Sequence, residues 1–258
     1  MRINIVVVAV AVLTAGHTSV RAQTKDASLP SAPEILDKYV EATGGKAAYD
    51  RIHTIYSRGT FSVLGTGIHG NLSSYEAEPG KSLSILDIPG GERIQEGTNG
   101  NVAWVVSTQD GARLKEGEER ATALREATFN SKVYWRKLYP VTECAGIEAV
   151  NGDACFKVVL KPAAGKPITQ YYDTKSFLLT KSVILLNTPT GEVPSENFYT
   201  DYRQVNRILF PHSLNHRVGR EEIVVVIDAI ECNADVPWYR FDLPEEVRAL
   251  LRKISDRR

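Results

Sequence analysis

The chain has 258 residues, with 31 Lys and Arg against 31 Asp and Glu, so its formal net charge is zero. Such a balance gives no electrostatic footprint for nucleic acid or for an anionic membrane. The length is ample for a substantial core in one large domain.

The chain opens with Arg2 and an apolar run from Ile3 to Ala15, then turns polar and ends Val20-Arg21-Ala22. This is the pattern of a signal peptide over residues 1–22, cleaved after Ala22. The apolar run falls short of the roughly 20 residues that span a bilayer, so the expected product is exported, periplasmic and not an integral membrane protein. The segment has no cysteine, which excludes an acylated lipoprotein N-terminus. Loss of Arg2 and Arg21 takes the 31 basic residues to 29, against 31 acidic ones.

Residues 23–30 read as a polar linker. Ser31-Ala32-Pro33-Glu34 is a capping box, and Ile35, Leu36, Tyr39 and Val40 follow at helical spacing. Gly44-Gly45 supplies the helix stop, and Lys46 to Arg51 adds one more turn.

From Ile55 the apolar period becomes two. Strands are expected at 55–64, 68–77, 81–88, 92–98, 102–107, 141–150, 154–161, 168–172, 178–187, 193–203, 208–216 and 221–232. Turn chemistry separates them at Pro89-Gly90-Gly91, Asn99-Gly100, Asp110-Gly111, Asn151-Gly152 and Thr190-Gly191. Parallel strands need crossovers of a dozen or more residues, and only the gap at 108–140 is that long, so the sheet is antiparallel. That gap predicts one or two helices near 116–138, from Ala121, Leu124 and Ala127 and then Val133, Trp135 and Leu138. The expected fold is mainly β with helices (α+β): one domain over 31–258, a curved antiparallel sheet wrapped around helices.

Several stretches resemble the LolA/LolB-like outer-membrane lipoprotein carriers and sorting proteins. They are Ile35 to Tyr39 running into Ala42 to Ala47, Glu96 to Trp104, Leu138-Tyr139-Pro140, Gly146 to Gly152, Asp201-Tyr202-Arg203 and Leu209-Phe210-Pro211. The resemblance implies an incomplete β-barrel of about eleven strands around an apolar cavity, which in the carriers takes lipoprotein acyl chains. Asn206-Arg207 departs from it where relatives turn with a glycine, which puts the length or shape of that turn in doubt.

Catalytic motifs fail on context. Gly65-Thr66-Gly67-Ile68-His69-Gly70 spells a dinucleotide fingerprint but joins two strands, without the helix that would meet a pyrophosphate. His212 and His216 would stand about 13 Å apart on a strand, too far to share a metal. No G-x-S-x-G, H-E-x-x-H or C-x-x-C occurs. The reading is therefore no enzyme, no cofactor and no metal. Cys144 and Cys155 are candidates for a disulfide, with Cys232 free, although a strict two-residue turn at Asn151-Gly152 would set Cys155 opposite Glu148.

Phe61, Leu83, Ile85 and Trp104 alternate along strands, and Leu124 and Trp135 lie in the helical gap above them. These six are the candidate lipid-binding residues. Two functions stay open: a lipophile binder or lipoprotein-carrier-like protein holding acyl chains, and a non-catalytic interaction module or accessory subunit with a protein partner in an envelope complex.

Overall fold

The computed structural model describes residues 29–188 and 191–256; the expected signal segment 1–22, most of the linker, and Thr190 of the Thr190-Gly191 turn lie outside the described residues. Helix α1 (Ala32–Ala42) starts at the capping box, where Ser31 Oγ accepts from Glu34 N at 3.4 Å and Glu34 Oε2 accepts from Ser31 N at 2.7 Å. It ends at Gly44 and Gly45, both with positive φ. A Cβ on Gly44 would run into the carbonyl oxygen of Arg207, so glycine is required there by conformation and by space. One further turn, α2 (Lys46–Tyr49), leads into the sheet.

The first series of strands is β1 (Thr54–Val63), β2 (His69–Ala77), β3 (Lys81–Ile88), β4 (Glu92–Thr98), β5 (Ala103–Ser107) and β6 (Gly111–Leu114). Helices α3 (Gly117–Glu126) and α4 (Trp135–Leu138) follow. The second series is β7 (Val141–Val150), β8 (Asp153–Lys161), β9 (Ile168–Asp173), β10 (Leu179–Thr188), β11 (Gly191–Val205), β12 (Ile208–Val218) and β13 (Glu221–Cys232). A 3₁₀ turn at Trp238–Phe241 and helix α5 (Glu245–Ser255) complete the described chain.

All thirteen strands form one antiparallel sheet in the order β6-β5-β4-β3-β2-β1-β13-β12-β11-β10-β9-β8-β7. Two meanders are thus joined through β1 and β13, and the sheet stays open, with β6 and β7 as its edges. The resemblance implied about eleven strands; the sequence reading missed β6, whose four residues are too few to display alternation. It also left the 3₁₀ turn and α5 unassigned. The segment carrying α3 and α4 runs from one edge of the sheet to the other.

Between β1 and β13 the register slips at Arg58/Gly59, and Asp228 is passed over. Asp228 is the one charged residue in an otherwise apolar run, and a β-bulge is where such a residue leaves the ladder. A Cβ on Gly59 would strike the carbonyl oxygen of Val226, so the backbones approach closely at this point. Asn151 and Gly152 have φ of 51° and 95° between paired Val150 and Asp153, a two-residue turn as expected. Asn206 and Arg207 form an equally short turn, with φ of 48° and 68° between paired Val205 and Ile208. The missing glycine has therefore not lengthened that turn; an arginine has been held in the left-handed region instead.

The strict register at Asn151-Gly152 corrects the disulfide expectation. Cys155 faces Glu148 and Cys144 faces Val158, so the two cysteines lie about three residues, on the order of 10 Å, apart along the strands. That exceeds the span of a disulfide, and all three thiols are free. Cys155 is fully buried, and burial pushes its thiol pKa up.

Two cores lie on opposite faces of the sheet, because Ile55 pairs with Glu76, Glu76 with Ser82 and Ser82 with Thr98, which leaves Leu83, Ile85 and Trp104 on the other side. The larger joins Ile35, Leu36 and Tyr39 of α1 and Trp135 of α4 to Phe156, Tyr172 and Ile208 of the sheet. The smaller joins Leu83, Ile85 and Trp104 to Phe241 and Val247 of the C-terminal segment. Alternate residues Cys155 and Tyr171, with Val150, pack on the face away from the larger core.

Candidate functional site

A cavity of about 310 Å³ lies between α1, the α3–α4 segment and strands β8 to β12, partly open to solvent. Its wall is built by the period of two on each strand: Gln170 and Tyr172 on β9, Ser182 and Ile184 on β10, Asn197 and Tyr199 on β11. Leu36 and Tyr39, one helical turn apart on α1, close one side. Trp135 and Tyr139 close another. Helix α4 is fixed to α1 through Asp37, which accepts from Trp135 Nε1 at 3.2 Å and from Arg136 at 2.6 Å. The Arg136 guanidinium beside it holds the Asp37 carboxyl below its ordinary pKa.

Tyrosines give this wall an apolar character, because their hydroxyls are already engaged. Tyr202 donates to the Leu179 carbonyl at 2.7 Å, Tyr172 donates to Gln170 at 2.5 Å, and Tyr199 and Ser182 share a bond of 3.0 Å. Tyr39 lies against Tyr172 with ring centroids 5.2 Å apart. Burial raises the pKa of Tyr39, Tyr172 and Tyr202, and pushes that of Tyr199 up to about 12. Neutral phenols with satisfied tips present their ring faces.

The polar end of the cavity belongs to the helical segment, where Arg125, Glu126 and Lys132 line it. Arg125 is only 8% exposed. It donates to the Ala164 carbonyl at 3.0 Å and to Thr122 Oγ1 at 3.2 Å. Burial raises the pKa of the Glu126 carboxyl, opposed by the charges of Arg125 and Lys115, although the residue keeps solvent-exposed surface. Glu126 also borders a second, polar hollow of about 210 Å³ over β2 to β4, where buried Lys115 pairs with Glu96 beside Glu76 and Ser84.

Of the six expected lipid-binding residues, Trp135 is the one that lines the larger cavity. Leu83, Ile85 and Trp104 are covered by Phe241 and Val247 and form a packed core instead. Phe61 is buried on β1, with its ring where a Cβ on Gly70 would fall. Leu124 is half-buried on α3 and does not line the cavity. The residues missed are the buried tyrosines and Arg125. Tyrosines at alternate strand positions were a readable signal; an arginine within a charged helix was not.

The Gly65 to Gly70 segment joins β1 to β2, and no helix follows it. His212 and His216 both lie on β12, hydrogen-bonded to the Phe210 carbonyl at 3.0 Å and to Asn197 Oδ1 at 2.8 Å. Among the described residues no group of three or more His, Cys, Asp or Glu side chains is placed to hold a metal ion. Nor is any described helix long and apolar enough to cross a membrane.

An open antiparallel sheet with α1, α3, α4 and a cavity on one face and α5 on the other is a fold this chain shares with a solved LolA superfamily structure. A LolA superfamily protein from Nitrosomonas europaea is similar with a TM-score of 0.56 and 12% identity, over 83% of this chain and 99% of that one. A DUF1329 family protein from Desulfovibrio piger has a TM-score of 0.57 and 13% identity, over 81% of this chain and 96% of that one. A domain described as outer membrane lipoprotein-sorting, from Vibrio parahaemolyticus, has a TM-score of 0.54 and 10% identity, over 81% and 95%. No protein-family model matches the sequence, and a search of curated proteins finds no match.

Proposed function

We propose that this protein holds one acyl chain or a similarly narrow lipophile in the cavity under α1 and α4, and performs no chemistry on it. The observation that carries this is the wall itself: Leu36, Trp135, Leu160 and Leu179 with three tyrosines, Tyr172, Tyr199 and Tyr202, whose hydroxyls are engaged. An apolar cavity of about 150 Å³ admits one benzene, so about 310 Å³ suits a chain on the order of a dozen carbons. Ten buried methylenes would contribute about 8 kcal/mol, reduced by ordering costs to a reversible affinity. On this reading the chain is exported after cleavage at Ala22, acts in the periplasm as a single domain over 31–258, and passes its cargo to an envelope partner.

The test is native mass spectrometry of protein taken from its own envelope fraction, with displacement of a fluorescent acyl probe in vitro. Bound lipid and saturable displacement are expected, and Leu179→Trp, which fills the cavity, should abolish both. A clean apo mass with no probe binding overturns the reading. It would favour the second reading, an interaction module, for which Trp238 and Tyr239, 76% and 58% exposed beside α5, offer an aromatic docking surface.

A further inference from the structure

We propose that the cavity takes a single-chain amphiphile with an acidic head, and that Arg125 receives the carboxylate; this rests on the acyl-holding reading above. Arg125 is a buried cation whose neighbours leave it underused. Its hydrogen bonds go to a backbone carbonyl and a threonine hydroxyl, both neutral. Its Nε is buried with no hydrogen-bond partner. A guanidinium carries five donors in a planar fork that matches a carboxylate, and a buried donor without an acceptor is disfavoured.

The charges around the cavity point the same way. Two cations, Arg125 and Lys132, line it against one carboxylate, Glu126. Glu126 sits next to Arg125 and is the acidic group whose charge couples to it. Lys132 lies over the rings of Phe210 and Tyr49, at 5.5 Å and 6.0 Å, and its charge also acts on Glu76. Arg125 is distinguished by its buried Nε without an acceptor, at the end of a wall where the polar side chains of Gln170, Ser182 and Asn197 are already hydrogen-bonded. The arrangement places a head group at α3 and its chain along Leu36, Leu160, Ile168 and Leu179.

Laurate, dodecanol and dodecyltrimethylammonium share a twelve-carbon chain and differ in head charge. Each is titrated against the full chain loaded with a neutral fluorescent acyl probe. Laurate should displace it about tenfold more tightly than dodecanol, and the cationic amphiphile should be weakest. Arg125→Gln should bring laurate and dodecanol within about twofold of each other, while Lys132→Gln should leave the preference in place. Dodecanol binding as well as laurate to the native chain overturns the acidic-head proposal while the acyl-holding reading stands. Preference lost in Lys132→Gln, or kept in a folded Arg125→Gln, overturns the assignment to Arg125. If no amphiphile displaces the probe, both readings fall. Should Arg125→Gln not fold, the native-chain ranking and the Lys132→Gln result still decide.

Discussion

Arg207 occupies the second position of the tight turn before β12 with φ of 68°, where a side chain strains the backbone and glycine does not. Arg207→Gly should therefore stabilise the protein by about 1 kcal/mol, read as a higher urea midpoint at unchanged slope. Gly44→Ala should do the reverse, and by more, because its Cβ would meet the Arg207 carbonyl. The two substitutions act on one contact and should not be additive. The tyrosines of the cavity give a second expectation at this scale. Their folded pKa values are raised by burial, that of Tyr199 to about 12, so the unfolded chain loses its phenolic protons first. This contribution is whole below about pH 10, the ordinary phenol value, and is lost as pH rises towards the folded values. Part of the phenolate absorbance should be withheld until the β-sheet signal is lost, and then appear together with that loss. Complete phenolate formation in an intact fold would contradict the burial of Tyr39, Tyr172, Tyr199 and Tyr202. Little of this site was legible residue by residue: Trp135 was, but Arg125 reads in the sequence as one more charge on a charged helix.

Helix α5 covers the face of β3 to β6 that points away from the cavity. Val247 is fully buried against Leu83, Ile85 and Trp104, and Phe241 seals the same patch. Val247→Ala should cost about 1–3 kcal/mol by leaving a cavity. Val247→Asp should detach the helix and expose a surface that binds a hydrophobic dye. Val247, Leu250, Leu251 and Ile254 after Pro244 stand at helical spacing, yet the sequence reading left α5 unassigned, and spacing does not say which strands it covers. Helix α3 stands at the other extreme. Arg125 is its one buried residue, so it is held by few apolar contacts. Hydrogen exchange should show α3 opening more readily than β8 to β12, and gaining protection when laurate is bound. Equal protection without ligand would make α3 a fixed wall.

At the scale of the molecule, binding in a preformed cavity links to stability. A ligand at a hundred times its Kd should add about 2.7 kcal/mol, seen as a Tm that rises with ligand concentration. The same titration on Leu179→Trp should leave Tm unmoved. The sequence by itself determined the N-terminal helix with its cap and stop, an antiparallel sheet, and all but one of its thirteen strands. Those features are local: a period of two, a capping box and positive-φ turn residues act between neighbours along the chain. Only the tertiary structure decided where the sheet is filled and where it is hollow. Leu83, Ile85 and Trp104 carry the same alternating pattern on either face of the sheet; strand register turns them away from the cavity, and a helix far along the chain covers them. The wall of the cavity draws on α1, on α4 and on β8 to β12, brought together by an open sheet whose two edges are joined through the helical segment. An empty volume belongs to that assembly, and no single stretch of sequence encodes it.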